Sequence, residues 1–117
     1  MKELIFIIRP EKIETLKNIL DSQSCSGMTI SSVMGCGTQR GVVEEVGVNQ
    51  IKGYKTTINL LPKIQVSAVV PDSKVEEIVA QVRSQLPTGR PGDGKIFIRN
   101  MEDAMRIRTG ERGDKAL

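Results

Sequence analysis

Apolar positions along this chain change period several times, and each change marks an element. Leu4-Ile5-Phe6-Ile7-Ile8 is a short continuous apolar run, which predicts a central strand buried on both faces. Pro10 ends it. From Glu11 to Leu20 the apolar residues Ile13, Leu16, Ile19 and Leu20 recur at helical spacing among charged ones, predicting an amphipathic helix. Pro10 suits its first turn, and Glu11 favours the positive end of the helix dipole. After a polar connection from Ser22 to Gly27, Met28 to Met34 alternates as a strand does and stops at Gly35-Cys36-Gly37.

No convincing period runs from there to about Thr57. Gly41, Gly47 and Gly53 punctuate the stretch, and Val42, Val43, Val46 and Val48 leave a hairpin open. Connections of this length are uncommon and usually functional. Ile58 to Val70 is strand-like, with Ile64, Val66, Ala68 and Val70 on one face and Gln65, Ser67 and Val69 on the other. Pro62 lacks a donor and belongs at an edge or bend. A second helix opens at Pro71 to Lys74, where Ser73 and Glu76 read as a capping box. Its stripe is Val75, Ile78, Val79, Val82 and Leu86, and Pro87 stops it. A strand follows from Lys95 to Arg99, then a helical turn at Met101 to Met105. The polar tail from Gly110 to Leu117 reads as mobile. The order β-α-β-loop-β-α-β predicts an α+β, ferredoxin-like sheet with both helices on one face.

Composition narrows the function. The 117 residues suit one domain, and a 3% aromatic content makes its core aliphatic. The net charge of +3 is too small to argue for nucleic acid, and Phe6 and Phe97 are too few for base stacking on a sheet. Histidine is absent, which excludes Ser-His-Asp and Cys-His catalysis and histidine-based zinc sites. Cys25 and Cys36 are not in a Cys-x-x-Cys motif and read as reduced thiols. No apolar run is long enough to span a bilayer, and no cleavable leader pattern is evident, so a cytoplasmic location is expected.

The chemistry concentrates at Thr88-Gly89-Arg90-Pro91-Gly92-Asp93-Gly94-Lys95. Glycines allow backbone amides to approach an anion, and Arg90 and Lys95 add positive charge. The loop reads either as a plain turn or as a phosphate cradle. It lacks the Gly-x-x-x-x-Gly-Lys-Ser/Thr spacing, and no general base is evident, so a small ATP hydrolase is the weaker alternative. Arg106 and Arg108 flank Ile107. In an extended segment they would point the same way, as surface ion pairs or as a polyphosphate clamp.

Thr88-x-x-x-Gly92-Asp93-Gly94-Lys95-Ile96-Phe97 resembles the B-loop signature of the PII family of nitrogen-regulatory signal transducers. Ile7-Ile8-Arg9-Pro10, Gly27-Met28-Thr29, Gly35 to Gly41, Leu61-Pro62-Lys63 and Arg106 to Glu111 agree with that family in order. The resemblance implies a single domain over 1–117, with a long T-loop at about 37–57, a B-loop at about 87–95 and a C-terminal segment at about 101–117. It implies a homotrimer that is not an enzyme and binds ATP or ADP competitively in clefts between subunits. Gly92, Asp93, Gly94, Lys95, Arg106 and Arg108 would hold the phosphates. Ile7, Thr29 and Val69 would line the adenine. Gly35, Cys36, Gly37 and Thr38 would close the nucleotide from the base of the T-loop. Gln39 would help coordinate a magnesium ion carried by ATP, and Lys63 would pair with a carboxylate of 2-oxoglutarate. The T-loop would dock on a target, either a transporter, such as one for ammonium, or a metabolic enzyme. An adenylate sensor without 2-oxoglutarate, acting on a transporter outside nitrogen metabolism, is the alternative. Thr38 stands where many members carry arginine, and Cys36 where phenylalanine is usual. Tyr54 lies outside the register of the tyrosine that some members uridylylate.

Overall fold

A computed structural model describes residues 1–25, 27–36, 50–51, 54–55 and 60–117, with backbone pairing alone at 50, 51, 54 and 55. Strands β1 (Lys2–Ile8), β2 (Thr29–Gly35), β5 (Leu61–Val70) and β6 (Gly94–Asn100) form one antiparallel sheet in the order β2-β5-β1-β6. Helices α1 (Ile13–Ser22) and α2 (Val75–Gln85) complete the ferredoxin-like pattern. A short hairpin, β3 (Gln50–Ile51) with β4 (Tyr54–Lys55), lies within the long connection.

Alternation decides which face is buried. Leu4, Phe6 and Ile8 of β1 pack with Val66, Ala68 and Val70 of β5 under Leu16, Ile19 and Leu20 of α1 and Val75, Ile78 and Val82 of α2. Both helices therefore cover one face of the sheet, as the sequence predicts. The odd-numbered residues of β1 point the other way and are only half-buried, which corrects the expectation of a strand buried on both faces. Ile5 and Ile7 lie on that open face, with Phe97 more than half exposed opposite Ile5.

The helix starts differ from expectation. Pro10–Lys12 and Asp72–Lys74 are 3-10 turns, and the α-helices begin at Ile13 and Val75. Lys74 occupies the N-cap of α2, without a side-chain cap bond, so the Ser73–Glu76 capping box does not form. Glu76 and Glu77 in the first turn and Arg83 in the last still complement the helix dipole. The Leu86 amide makes a final bond to the Val82 carbonyl at 3.0 Å, and Pro87 has no amide with which to continue. Pro62 sits where β5 has run past the end of β1 and pairs with β2 alone, in keeping with its missing donor.

The C-terminal segment overturns two expectations. No helix forms at Met101 to Met105, and the tail is structured rather than free. Met105 bridges Arg112, Arg112 pairs with Asp103, and the Gly113 amide bonds the Ala104 carbonyl at 3.1 Å. Gly113–Ala116 is a 3-10 turn. The proposed Val42–Val48 hairpin lies outside the described residues.

Candidate functional site

The glycine loop between α2 and β6 is built around one carboxylate. Asp93 accepts hydrogen bonds from the Thr88 amide at 2.8 Å, the Thr88 hydroxyl at 2.5 Å, the Gly89 amide at 3.0 Å and Arg9 Nε at 3.0 Å. Burial opposes its charge. The Thr88 hydroxyl, Arg9 and the two amides outweigh that and hold its pKa well below the ordinary carboxylate range. Arg9 also donates through Nη2 to the Pro91 carbonyl at 2.9 Å, and Lys63 Nζ donates to the Gly92 carbonyl. The Asp93 side chain is therefore the staple of the loop. Its carboxylate is engaged within the loop, so any contribution of Asp93 to an anion would come through its backbone amide.

Gly94 is required by the packing. Its φ is +103°, and a Cβ there would lie 1.8 Å from the Ile7 carbonyl oxygen. The backbone of the loop thus closes directly on the end of β1, in the left-handed region that glycine alone adopts without strain.

Arg9 and Lys63 lie beneath this loop, each only 8% exposed. Burial lowers the Lys63 pKa, the charge of Arg9 lowers it further, and Glu11 and Asp93 oppose the shift. A cavity of about 450 Å³ opens beside them. It is lined by Ile7, Gly35, Cys36, Leu61, Lys63, Arg90, Gly92, Asp93, Gly94, Lys95 and Phe97. Gly35 is seated on the Lys63 stem, since a Cβ there would come 3.1 Å from Lys63 Cγ. Eight of the expected site residues thus meet in one cleft: Ile7, Gly35, Cys36, Lys63, Gly92, Asp93, Gly94 and Lys95.

The others are elsewhere. Thr29 and Val69 line a separate cavity of about 700 Å³, between the start of β2, the end of β5 and the C-terminal turn. Arg106 and Arg108 are exposed, and their segment is a turn rather than an extended strand. The Gly110 amide bonds the Arg106 carbonyl at 2.7 Å, with Ile107 92% exposed between the arginines. The alternation argument for the pair therefore does not hold, and Arg106 Nη2 instead reaches the Leu117 carbonyl at 3.2 Å. Gly37, Thr38 and Gln39 lie outside the described residues. Arg9 was missing from the expected site. Its clue was a charged residue placed directly after a buried apolar strand, where burial demands partners.

Among the described residues, no group of three His, Cys, Asp or Glu side chains could hold a metal ion. A magnesium ion here would need the oxygens of a phosphate ligand to complete its shell. The thiols are free, with Cys25 half-buried and Cys36 exposed at the cleft. No helix among the described residues is long and apolar enough to cross a membrane.

A four-stranded antiparallel sheet with two helices on one face defines an α+β domain of the ferredoxin-like class. The family model described as "Nitrogen regulatory protein P-II" matches residues 1–111. The chain is 44% identical over 117 residues to "Nitrogen regulatory protein P-II 2" of Methanothermobacter thermautotrophicus, covering 100% of this chain and 97% of that one. It is 40% identical over 121 residues to "Nitrogen fixation nifHD region GlnB-like protein 2" of Methanobacterium ivanovii, covering 100% and 99%. It is 37% identical over 117 residues to "Nitrogen regulatory protein P-II" of Rhizobium meliloti, covering 100% of both chains. The chain belongs to the P-II family of nitrogen regulatory proteins.

Proposed function

We propose that this chain is a signal-transducing regulator that binds ATP or ADP between copies of itself and transmits the occupancy through its long loop. The observation that carries this is the division of the expected site. Ile7 and the loop Gly92 to Lys95 share one cavity, while Thr29 and Val69 line another. One nucleotide reaches both sets when a neighbouring copy presents its second cavity to the first, as in a ring of three. Loop amides, Lys95 and Arg90 then face the phosphates, where forked and charge-assisted hydrogen bonds are strongest. Ile7 faces the adenine, with Thr29 and Val69 of the neighbour completing an apolar slot. Arg106 and Arg108, on an exposed turn, extend from the neighbour toward the phosphates.

Under the same reading, 2-oxoglutarate enters with Mg-ATP, its carboxylate taking Lys63 and its metal using Gln39. Lys63 already donates to the Gly92 carbonyl, and an ammonium group has three donors, so that bond is compatible with a carboxylate partner. The alternative is an adenylate sensor that takes ATP and ADP without 2-oxoglutarate and acts on a transporter outside nitrogen metabolism. Both readings make the chain a regulator rather than an enzyme. Its target, a transporter or metabolic enzyme, would meet the long loop. Each ligand must favour one loop state over another to switch anything.

Complementation tests the shared site. Lys95→Ala and Arg108→Ala change opposite sides of the cleft, so each variant alone should bind ADP weakly. After unfolding and refolding together, mixed assemblies contain clefts with both residues intact and should recover part of the binding. No recovery on mixing would place the two residues in the same half and refute the division.

A further inference from the structure

We propose that Thr88, Asp93 and Arg9 form a latch that sets the glycine loop in its ligand-ready shape before any ligand arrives, making Thr88 and Arg9 positioning residues. This rests on the nucleotide reading above and deepens it.

The Asp93 carboxylate is an acceptor-only group, and it closes a ring from Thr88 back to its own position. The Thr88 and Gly89 amides donate to its Oδ2, while the Thr88 hydroxyl and Arg9 Nε donate to its Oδ1. The Thr88 hydroxyl is also an acceptor, taking the Arg90 amide at 3.2 Å. One hydroxyl thus ties both ends of the loop to its middle. Arg9 is anchored at the end of β1, a central strand, so the latch fixes the loop to the rigid part of the fold.

The cations beneath also orient the peptide planes. The Pro91 carbonyl faces Arg9, and the Gly92 carbonyl faces Lys63. Among the described residues no peptide bond is cis. In a trans peptide the amide of the next residue points opposite to the carbonyl. The Gly92 and Asp93 amides are therefore turned away from the two cations, as successive donors in a concave anion site must be. Gly92, at a φ of +97°, permits this without a Cβ penalty. A loop already shaped this way avoids an ordering cost on binding.

The test compares Thr88→Val, which keeps shape and loses the hydroxyl, with Thr88→Ser, which restores it. Thr88 is exposed, so neither change touches the core. Calorimetry with ADP and amide hydrogen exchange of the ligand-free chain are the readouts. The latch predicts ADP binding at least about fivefold weaker in Thr88→Val, within the worth of a hydrogen bond to a charged group. It also predicts faster exchange of the Gly89 and Arg90 amides, with both effects reversed in Thr88→Ser. Unchanged exchange in Thr88→Val overturns the latch whatever the binding result, as does a Thr88→Ser variant that behaves like valine. A parent chain that takes up neither ATP nor ADP overturns the nucleotide reading, and the exchange experiment still judges the latch.

Discussion

Replacing Gly94 by alanine offers a sharp test of how the loop is mounted. The residue has a φ of +103°, and the added Cβ would sit 1.8 Å from the Ile7 carbonyl oxygen, where Cβ contacts under 3.0 Å essentially never occur. The substitution therefore carries two costs. Left-handed backbone costs a residue with a Cβ roughly 1–2 kcal/mol. Relieving the contact parts β6 from β1 at the Ile8–Gly94 pair, which forfeits about 1 kcal/mol of ladder hydrogen bonding. Together these come to roughly 2–3 kcal/mol, or a fall in Tm of about 10 °C for a domain of this size. Gly89→Ala is the control. Its φ is +85°, but among the described residues nothing lies within 4 Å of the added Cβ, so only the backbone cost applies. Thermal unfolding followed by circular dichroism, at one protein concentration for all variants, should place Gly94→Ala clearly below Gly89→Ala. Equal falls for the two would refute the claim that Gly94 is required by contact with β1.

Two further outcomes follow from the charges and thiols. Asp93 has a folded-state pKa below its unfolded value, so its contribution is present above the ordinary carboxylate pKa, about 4, and is lost as pH falls below that toward the lowered value. The stability gap between the parent and Asp93→Asn, measured by urea unfolding, should be largest near neutrality and narrow in acid; a constant gap would contradict the staple. Cys36 is exposed at the cleft, whereas Cys25 is half-buried and burial raises its pKa against the opposing charge of Lys74. Iodoacetamide should therefore label Cys36 first, and saturating ADP should slow that labelling; equal labelling of both thiols, or no protection by ADP, would oppose the placement.

Much of the fold was legible because its core is patterned simply. Even-numbered residues of β5 alternate inward and the stripes of α1 and α2 recur at helical spacing, so the order of elements followed from period, whereas the continuous apolar run of β1 hid which of its faces is open. Local chemistry was less legible. Ser73 and Glu76 have the spacing of a capping box, yet a 3-10 turn at Asp72–Lys74 moves the helix start past Ser73. Arg106 and Arg108 have strand spacing, but Gly110, at a φ of +76°, closes a turn there. At the site, the glycine loop announced itself by composition. The burial of Arg9 did not, because it depends on the pairing of β1 with β6 that brings residue 9 to residue 93. Likewise, no spacing could separate Ile7 from Thr29 and Val69, since that division belongs to the tertiary fold.

The most direct test of the account is calorimetric titration of the parent chain with ATP and with ADP, followed by 2-oxoglutarate with Mg-ATP present and absent. The account predicts saturable, mutually competitive binding of both nucleotides, reduced by Lys95→Ala. Uptake of 2-oxoglutarate only with Mg-ATP would assign Lys63 and Gln39 their expected partners, and its absence would favour the adenylate sensor. Binding of neither nucleotide to the folded chain would contradict the central claim.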